Sequence, residues 1–144
     1  MPRLTVTDIL LRLGVAVLLG AVLGLDRELK GKPAGPRTMS IVGLGSAVLA
    51  VVAIYGTGTN IDAVSRVIQG VITGIGFLGA GTILHKSEGG VRGLTTAATV
   101  WLVAALGIAS GLAYWPIVIV GTAFGLLLLI LAPAERWIEK RFGE

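Results

Sequence analysis

Residues 67–84 read VIQGVITGIGFLGAGTIL, eighteen positions with no charged side chain and with glycine at 70, 74, 76, 79 and 81. A helix that crosses a bilayer needs about 20 mostly apolar residues, with a lower limit near 17. In lipid every backbone N–H and C=O must find its partner inside the protein, so such a run reads as an α-helix. Four further runs pass or nearly pass the same test: 9–25, 38–55, 97–114 and the slightly short 116–131. The first is interrupted only by Arg12, near its start, where the side chain can snorkel to the interface. None alternates in the two-residue pattern of a transmembrane barrel. The predicted fold is all-α, a polytopic membrane helical bundle of about five transmembrane helices.

Composition supports this class. Of 144 residues, 54% are apolar and 14% charged, against roughly 25% charged in an ordinary soluble domain. Mean hydropathy is +0.89. The 22 glycines are about twice the usual ~7% share; they follow no collagen period and sit among aliphatic residues, which excludes fibrous and disordered chains. With no cysteine, disulfides, thiolate metal sites and cysteine nucleophiles are excluded. The net charge of +4 does not point to nucleic acid, because the basic residues are confined to gaps between apolar runs. No cleavable signal peptide is expected.

Those gaps set the orientation. One side would hold Arg27, Lys30, Lys32, Arg37, Lys86, Arg92, Arg136, Lys140 and Arg141, the other only Arg3, Arg12 and Arg66. Positive charge favours the cytoplasm, so the N-terminus is expected outside and the C-terminus inside. Pro33 and Pro36 precede the second span, with Thr38 as its cap; Thr95 and Thr96 are read as caps of the fourth. Tyr114, Trp115 and Pro116 form a tight turn before the fifth, which is expected to end at Pro133. Tyr55, Tyr114, Trp115 and Trp137 fall at predicted interfaces, and Trp101 reads as a packing residue. Residues 133–144 form a short cytoplasmic tail, either an amphipathic turn or two or a frayed end.

Glycine spacing is the richest pattern. The pairs Gly20/Gly24, Gly70/Gly74, Gly107/Gly111 and Gly121/Gly125 are small-xxx-small spacings that let helices approach closely, within the bundle or between subunits. Glycine on several faces of the third span (Gly70, Gly74, Gly76, Gly79, Gly81) marks it as the expected central helix. Gly79-Ala80-Gly81 is also a candidate helix break. The same span has a polar side, Arg66, Gln69 and Thr73, which either bonds a neighbouring helix or lines a polar site. Asp26, Arg27 and Glu28 close the first span. With Arg37 and Arg92 near helix starts, they form either structural ion pairs or a site for an anion such as a lipid phosphate. No catalytic fingerprint is present, His85 is the lone histidine, and the scattered acids form no metal cage.

At these residues the chain resembles the MgtC/SapB membrane proteins. The resemblance rests on RVIQGVITGIGFLGAGTILHKSEGGVRGLTTAA (66–98), GLDRE (24–28), AGPRT (34–38) and Asp62, four residues before Arg66. It runs from about Leu13 to Leu112. It implies a multi-helix protein of the bacterial inner membrane, linked to magnesium limitation, acid stress and survival inside host cells. In the best-known members it implies inhibition of the F-type ATP synthase rather than magnesium transport. Asp26, Arg27, Glu28, Arg37, Asp62, Arg66, Gln69 and Arg92 inherit the family's polar positions. Two departures stand out: no soluble C-terminal domain is expected after the last span, and the cysteine of some members is missing.

The residues therefore support a non-enzymatic regulator, without cofactor, that acts by helix contacts in the bilayer with itself, a dimer being favoured, or with a larger membrane complex. The alternative is a small oligomeric magnesium or proton transporter with a polar path along Arg66, Gln69 and Thr73. Phospholipid handling at the cytoplasmic arginines is a third reading.

Overall fold

The computed structural model describes the backbone of residues 4–56, 60–85 and 91–142 and the side chains of 4–56, 60–83 and 93–131. Among the described residues five helices follow one another: α1 (Val6–Leu29), α2 (Pro36–Gly56), α3 (Ile61–Gly81), α4 (Leu94–Gly111) and α5 (Trp115–Phe142). The first four are long and apolar enough to cross a membrane, and α5 carries a shorter apolar segment, Trp115–Leu131. Between α3 and α4 lies one antiparallel ladder of two-residue strands, with Leu84 opposite Arg92 and His85 opposite Val91.

Local chemistry sets the helix ends. Thr5 and Asp8 form a reciprocal capping box at the start of α1, which satisfies donors the helix itself cannot. Asn60 caps α3 by accepting from the amides of Asp62 and Ala63. At the end of α1, Gly31 takes a φ of +58°, its amide donates to the Glu28 carbonyl, and Lys32 donates to the Arg27 carbonyl. That is a Schellman motif. The end of α4 repeats it with alanine: Ala113, at φ +60°, donates to Ser110, and Tyr114 donates to Ala109.

Several boundary expectations are corrected. Pro36 is the first residue of α2, where its missing N–H costs nothing, so Thr38 is inside the helix rather than its cap. Thr95 and Thr96 are likewise inside α4, whose N-cap is Gly93 with no side-chain cap bond. Gly93 has a φ of +97°, and a Cβ there would collide with the Thr82 carbonyl. The third span begins at Ile61, so Asp62 and Arg66 are helical residues, and α3 runs unbroken through Gly79-Ala80-Gly81. Pro133 does not stop α5, which continues to Phe142. Trp101 is 49% exposed on the outside of α4, not packed within the chain.

The expectation of a central third helix also fails. In α4, 61% of the spanning window is buried; in α3 the share is 11%, and only Ile75 and Gly79 are buried. The reason lies in which glycines meet backbone. A Cβ on Gly20 would stand 2.6 Å from the Met39 carbonyl oxygen, and one on Gly43 the same distance from that of Ala16. On Gly107 and Gly111 it would stand 2.5 Å from the Gly43 and Ala47 carbonyls. The backbones of α1, α2 and α4 thus touch through glycine, the close approach that substitutes for hydrophobic drive in lipid. Gly121 and Gly125 receive the side chains of Leu106 and Leu102 and seat α5 on α4. On α3, a Cβ at Gly70, Gly74, Gly76 or Gly81 would meet nothing within 4 Å. Leu19, Leu23, Met39, Val100, Val103 and Leu106 fill the core among these helices.

Candidate functional site

The polar residues fall into three groups. At the end of the bundle where α1 finishes, the Arg27 side chain is 4% exposed, facing inward with Leu23 and Gly24 on the buried stripe of α1. Its Nη2 donates to the hydroxyl of Thr96, a fully buried residue in the first turn of α4. Beside it, Lys30 Nζ stands 2.6 Å from Asp26 Oδ1 and donates to the Leu129 carbonyl of α5 at 2.6 Å. Asp26 Oδ2 and Arg27 Nε are buried without a partner among the described residues. Here α1 is tied to α4 by the buried Arg27, whose contact is worth more than one on a surface, and to α5 by Lys30, which is partly exposed.

Glu28 and Arg37 stand apart from that cluster. They line an open groove of about 580 Å³ with Gly31, Lys32, Gly35, Pro36 and Thr38. Thr95 is exposed in the first turn of α4, where its carbonyl accepts from the Thr99 hydroxyl at 2.7 Å. The side chains of His85 and Arg92 lie outside the described residues, as do those of the tail, including Trp137.

At the opposite end, Arg12 joins three helices. Its Nη1 donates to the Gly111 carbonyl at 2.7 Å and its Nη2 to the Tyr55 hydroxyl at 3.1 Å. Its own carbonyl accepts from the Ser110 hydroxyl at 2.7 Å. An arginine at a helix C-terminus satisfies an orphan carbonyl and complements the helix dipole. Arg12 therefore does not snorkel outward as its sequence position suggests; it closes the end of α4 and ties it to Tyr55 of α2. Sequence reasoning assigned no site role to Arg12, Lys30 or Thr96. The available signal for Lys30 was Pro133, which lacks the N–H that Leu129 needs four residues earlier.

The third group is the outer face of α3. Asp62, Arg66, Gln69 and Thr73 are all exposed and lie within about 60° of one another at 100° per residue. Thr73 donates to the Gln69 carbonyl of its own helix at 2.8 Å. None of the four side chains bonds another helix among the described residues. The exposed glycines Gly70 and Gly74 lie to one side of this stripe and, with Ile41, Gly45, Leu49 and Val71, line an apolar groove of about 520 Å³ between α2 and α3. The sequence-selected residues are thus not one site: Asp26, Arg27 and Thr95 lie near the α4 start, Asp62 and Arg66 near the far end of α3. The length of α3 separates them, about 30 Å at 1.5 Å per residue.

Among the described residues no three His, Asp or Glu side chains converge. Apolar side chains such as Leu18, Ile41, Ile119 and Phe124 are exposed around the bundle, a larger apolar surface than a water-soluble monomer carries. Together with four spanning-length helices this defines a polytopic α-helical membrane protein. Its particular kind follows from comparison: residues 13–137 match the MgtC family, and the chain belongs to that family. It is 46% identical to Protein SrpB of Synechococcus elongatus over 82% of this chain and 71% of that protein. It is 39% identical to Protein SapB of Bacillus subtilis over 94% of this chain and 60% of that one. It is 38% identical to the Putative magnesium transporter YhiD of Escherichia coli over 85% of this chain and 59% of that protein. No solved structure matches the chain.

Proposed function

We propose that this protein is a non-enzymatic regulator of the bacterial inner membrane, tied to magnesium limitation, that acts through helix–helix contacts in the bilayer. The observation that carries the reading is the outer face of α3. It places a polar stripe and bare glycine backbone on the outside of the bundle. Polar side chains inside a membrane normally face protein, not lipid, and glycine stripes mark helix contact. The proposed orientation is N-outside and C-inside. Nine basic residues then lie on the cytoplasmic side against three outside. The family's link to the F-type ATP synthase makes that complex a proposed partner. Co-purification of that complex with the intact protein from native membranes is the expected result; no association removes this partner.

The name of the relative, Putative magnesium transporter YhiD, favours a second reading, a magnesium transporter. One protomer is small for a pathway, so the route would run along Arg66, Gln69 and Thr73 between subunits. Reconstituted liposomes decide between the two readings. The regulator predicts no magnesium or proton flux above lipid alone. Robust flux that Gln69→Ala abolishes would overturn the regulator in favour of transport.

A further inference from the structure

We infer that the partner of the α3 face is a second copy of this chain, docked α3 against α3 across a two-fold axis along the membrane normal. This rests on the reading of that face as a contact surface and names its occupant. All copies inserted in the same orientation can form a closed pair only about such an axis, so the two α3 helices run parallel. Residues at the axis then meet their own copies, and residues four apart meet reciprocally on either side.

The α3 face has the chemistry this symmetry requires. Asp62 and Arg66 are four apart, exposed on one side, and form no ion pair with each other. Across the axis, Asp62 of each copy faces Arg66 of the other, so the surface is complementary to itself. Gln69 lies about 12 Å along the helix from Ile61, at 1.5 Å per residue, near the middle of a ~30 Å hydrocarbon layer. Among the described residues its amide finds no side-chain partner, and lipid offers none. Near the axis it meets the Gln69 amide of the second copy, which can both donate and accept. Thr73 continues the contact into the membrane, with Gly70 and Gly76 about 60° to either side of it at 100° per residue. A Cβ at either glycine meets nothing within 4 Å in the protomer; a second α3 supplies the missing neighbour.

The absence of cysteine from the whole chain makes the test direct. In native membranes Thr73→Cys is expected to form a disulfide-linked homodimer on mild oxidation, whereas Ile119→Cys on the exposed side of α5 is not. Adding Gly76→Leu to the Thr73→Cys chain is expected to lower the cross-linked fraction about tenfold by blocking close approach. Asp62→Arg or Arg66→Asp alone is expected to weaken it similarly, and the double exchange to restore it to within about twofold. Failure of the double exchange to restore dimers, or equal cross-linking from position 119, overturns the two-fold pair. A cross-link from position 73 to a different membrane protein, with no homodimer, overturns the second copy while the contact surface stands. A cysteine at 73 that links to nothing overturns both.

Discussion

Lys30 Nζ donates at 2.6 Å to the carbonyl oxygen of Leu129, the acceptor that Pro133, four residues further along α5, cannot serve. A defect in one helix is thus repaired by a side chain of another. Asp26, one turn back from Lys30 at 2.6 Å, balances the charge brought to that carbonyl.

Removing the donor exposes the defect. Lys30→Met is expected to destabilise the fold by about 1–2 kcal/mol, the cost of an orphaned, partly buried acceptor. Pro133→Ala restores the helical N–H, so in that background the same Lys30→Met change should cost much less. Denaturant unfolding of the four chains in mild detergent measures the coupling; strict additivity would break the link.

At the opposite end, Arg12→Leu loses the bonds to Gly111 and Tyr55. A loss of about 2 kcal/mol is expected, with Tyr55→Phe costing about 0.5–1 kcal/mol, since a neutral acceptor lost is worth less than an orphaned helix end. Protease sensitivity at the α4–α5 turn should rise in Arg12→Leu before global unfolding.

Two classes of glycine should respond oppositely to alanine. Gly107→Ala drives a methyl into the Gly43 carbonyl at 2.5 Å, and backbone cannot yield cheaply, so a loss of about 3 kcal/mol or failure to fold is expected. Gly76→Ala meets nothing in the protomer and should be neutral or stabilising by up to about 1 kcal/mol, the helix-propensity difference. Thermal stability in detergent ranks the two.

The Ala113 position tests backbone strain. Its φ of +60° is one that an L side chain tolerates poorly. Ala113→Gly, placing glycine where the end of α1 already has Gly31, should stabilise by about 0.5–1 kcal/mol, part of it offset by the freer unfolded chain. A lower melting temperature would show that Ala113 is not strained.

Buried Arg27 gives a fifth measure. Thr96→Val keeps shape but removes the acceptor from Nη2, leaving a desolvated guanidinium with one partner fewer, and should cost about 2 kcal/mol. Thr96→Ser, which keeps the hydroxyl, should recover most of it. Equal loss in both would assign the effect to packing of the methyl group.

Sequence by itself determined the helices and the membrane. Apolar runs such as 38–55 and 97–114 admit no other structure in lipid, because backbone groups must pair within the run. The motifs from 66 to 98 carried the family. The pairs Gly20/Gly24 and Gly107/Gly111 do lie where backbones meet, since their spacing is a property of one helix. Only the tertiary structure decided which glycines those are: the densest glycine run, on α3, lies outermost, while Gly43, absent from the pairs, lies between α1 and α4. Periodicity describes one helix at a time and carries no information on which neighbour arrives at which face. The same limit hid Arg12, Lys30 and Thr96. Each acts on a group from another helix, across 99 residues for Arg12 to Gly111 and for Lys30 to Leu129. Such pairings exist only once the helices are packed.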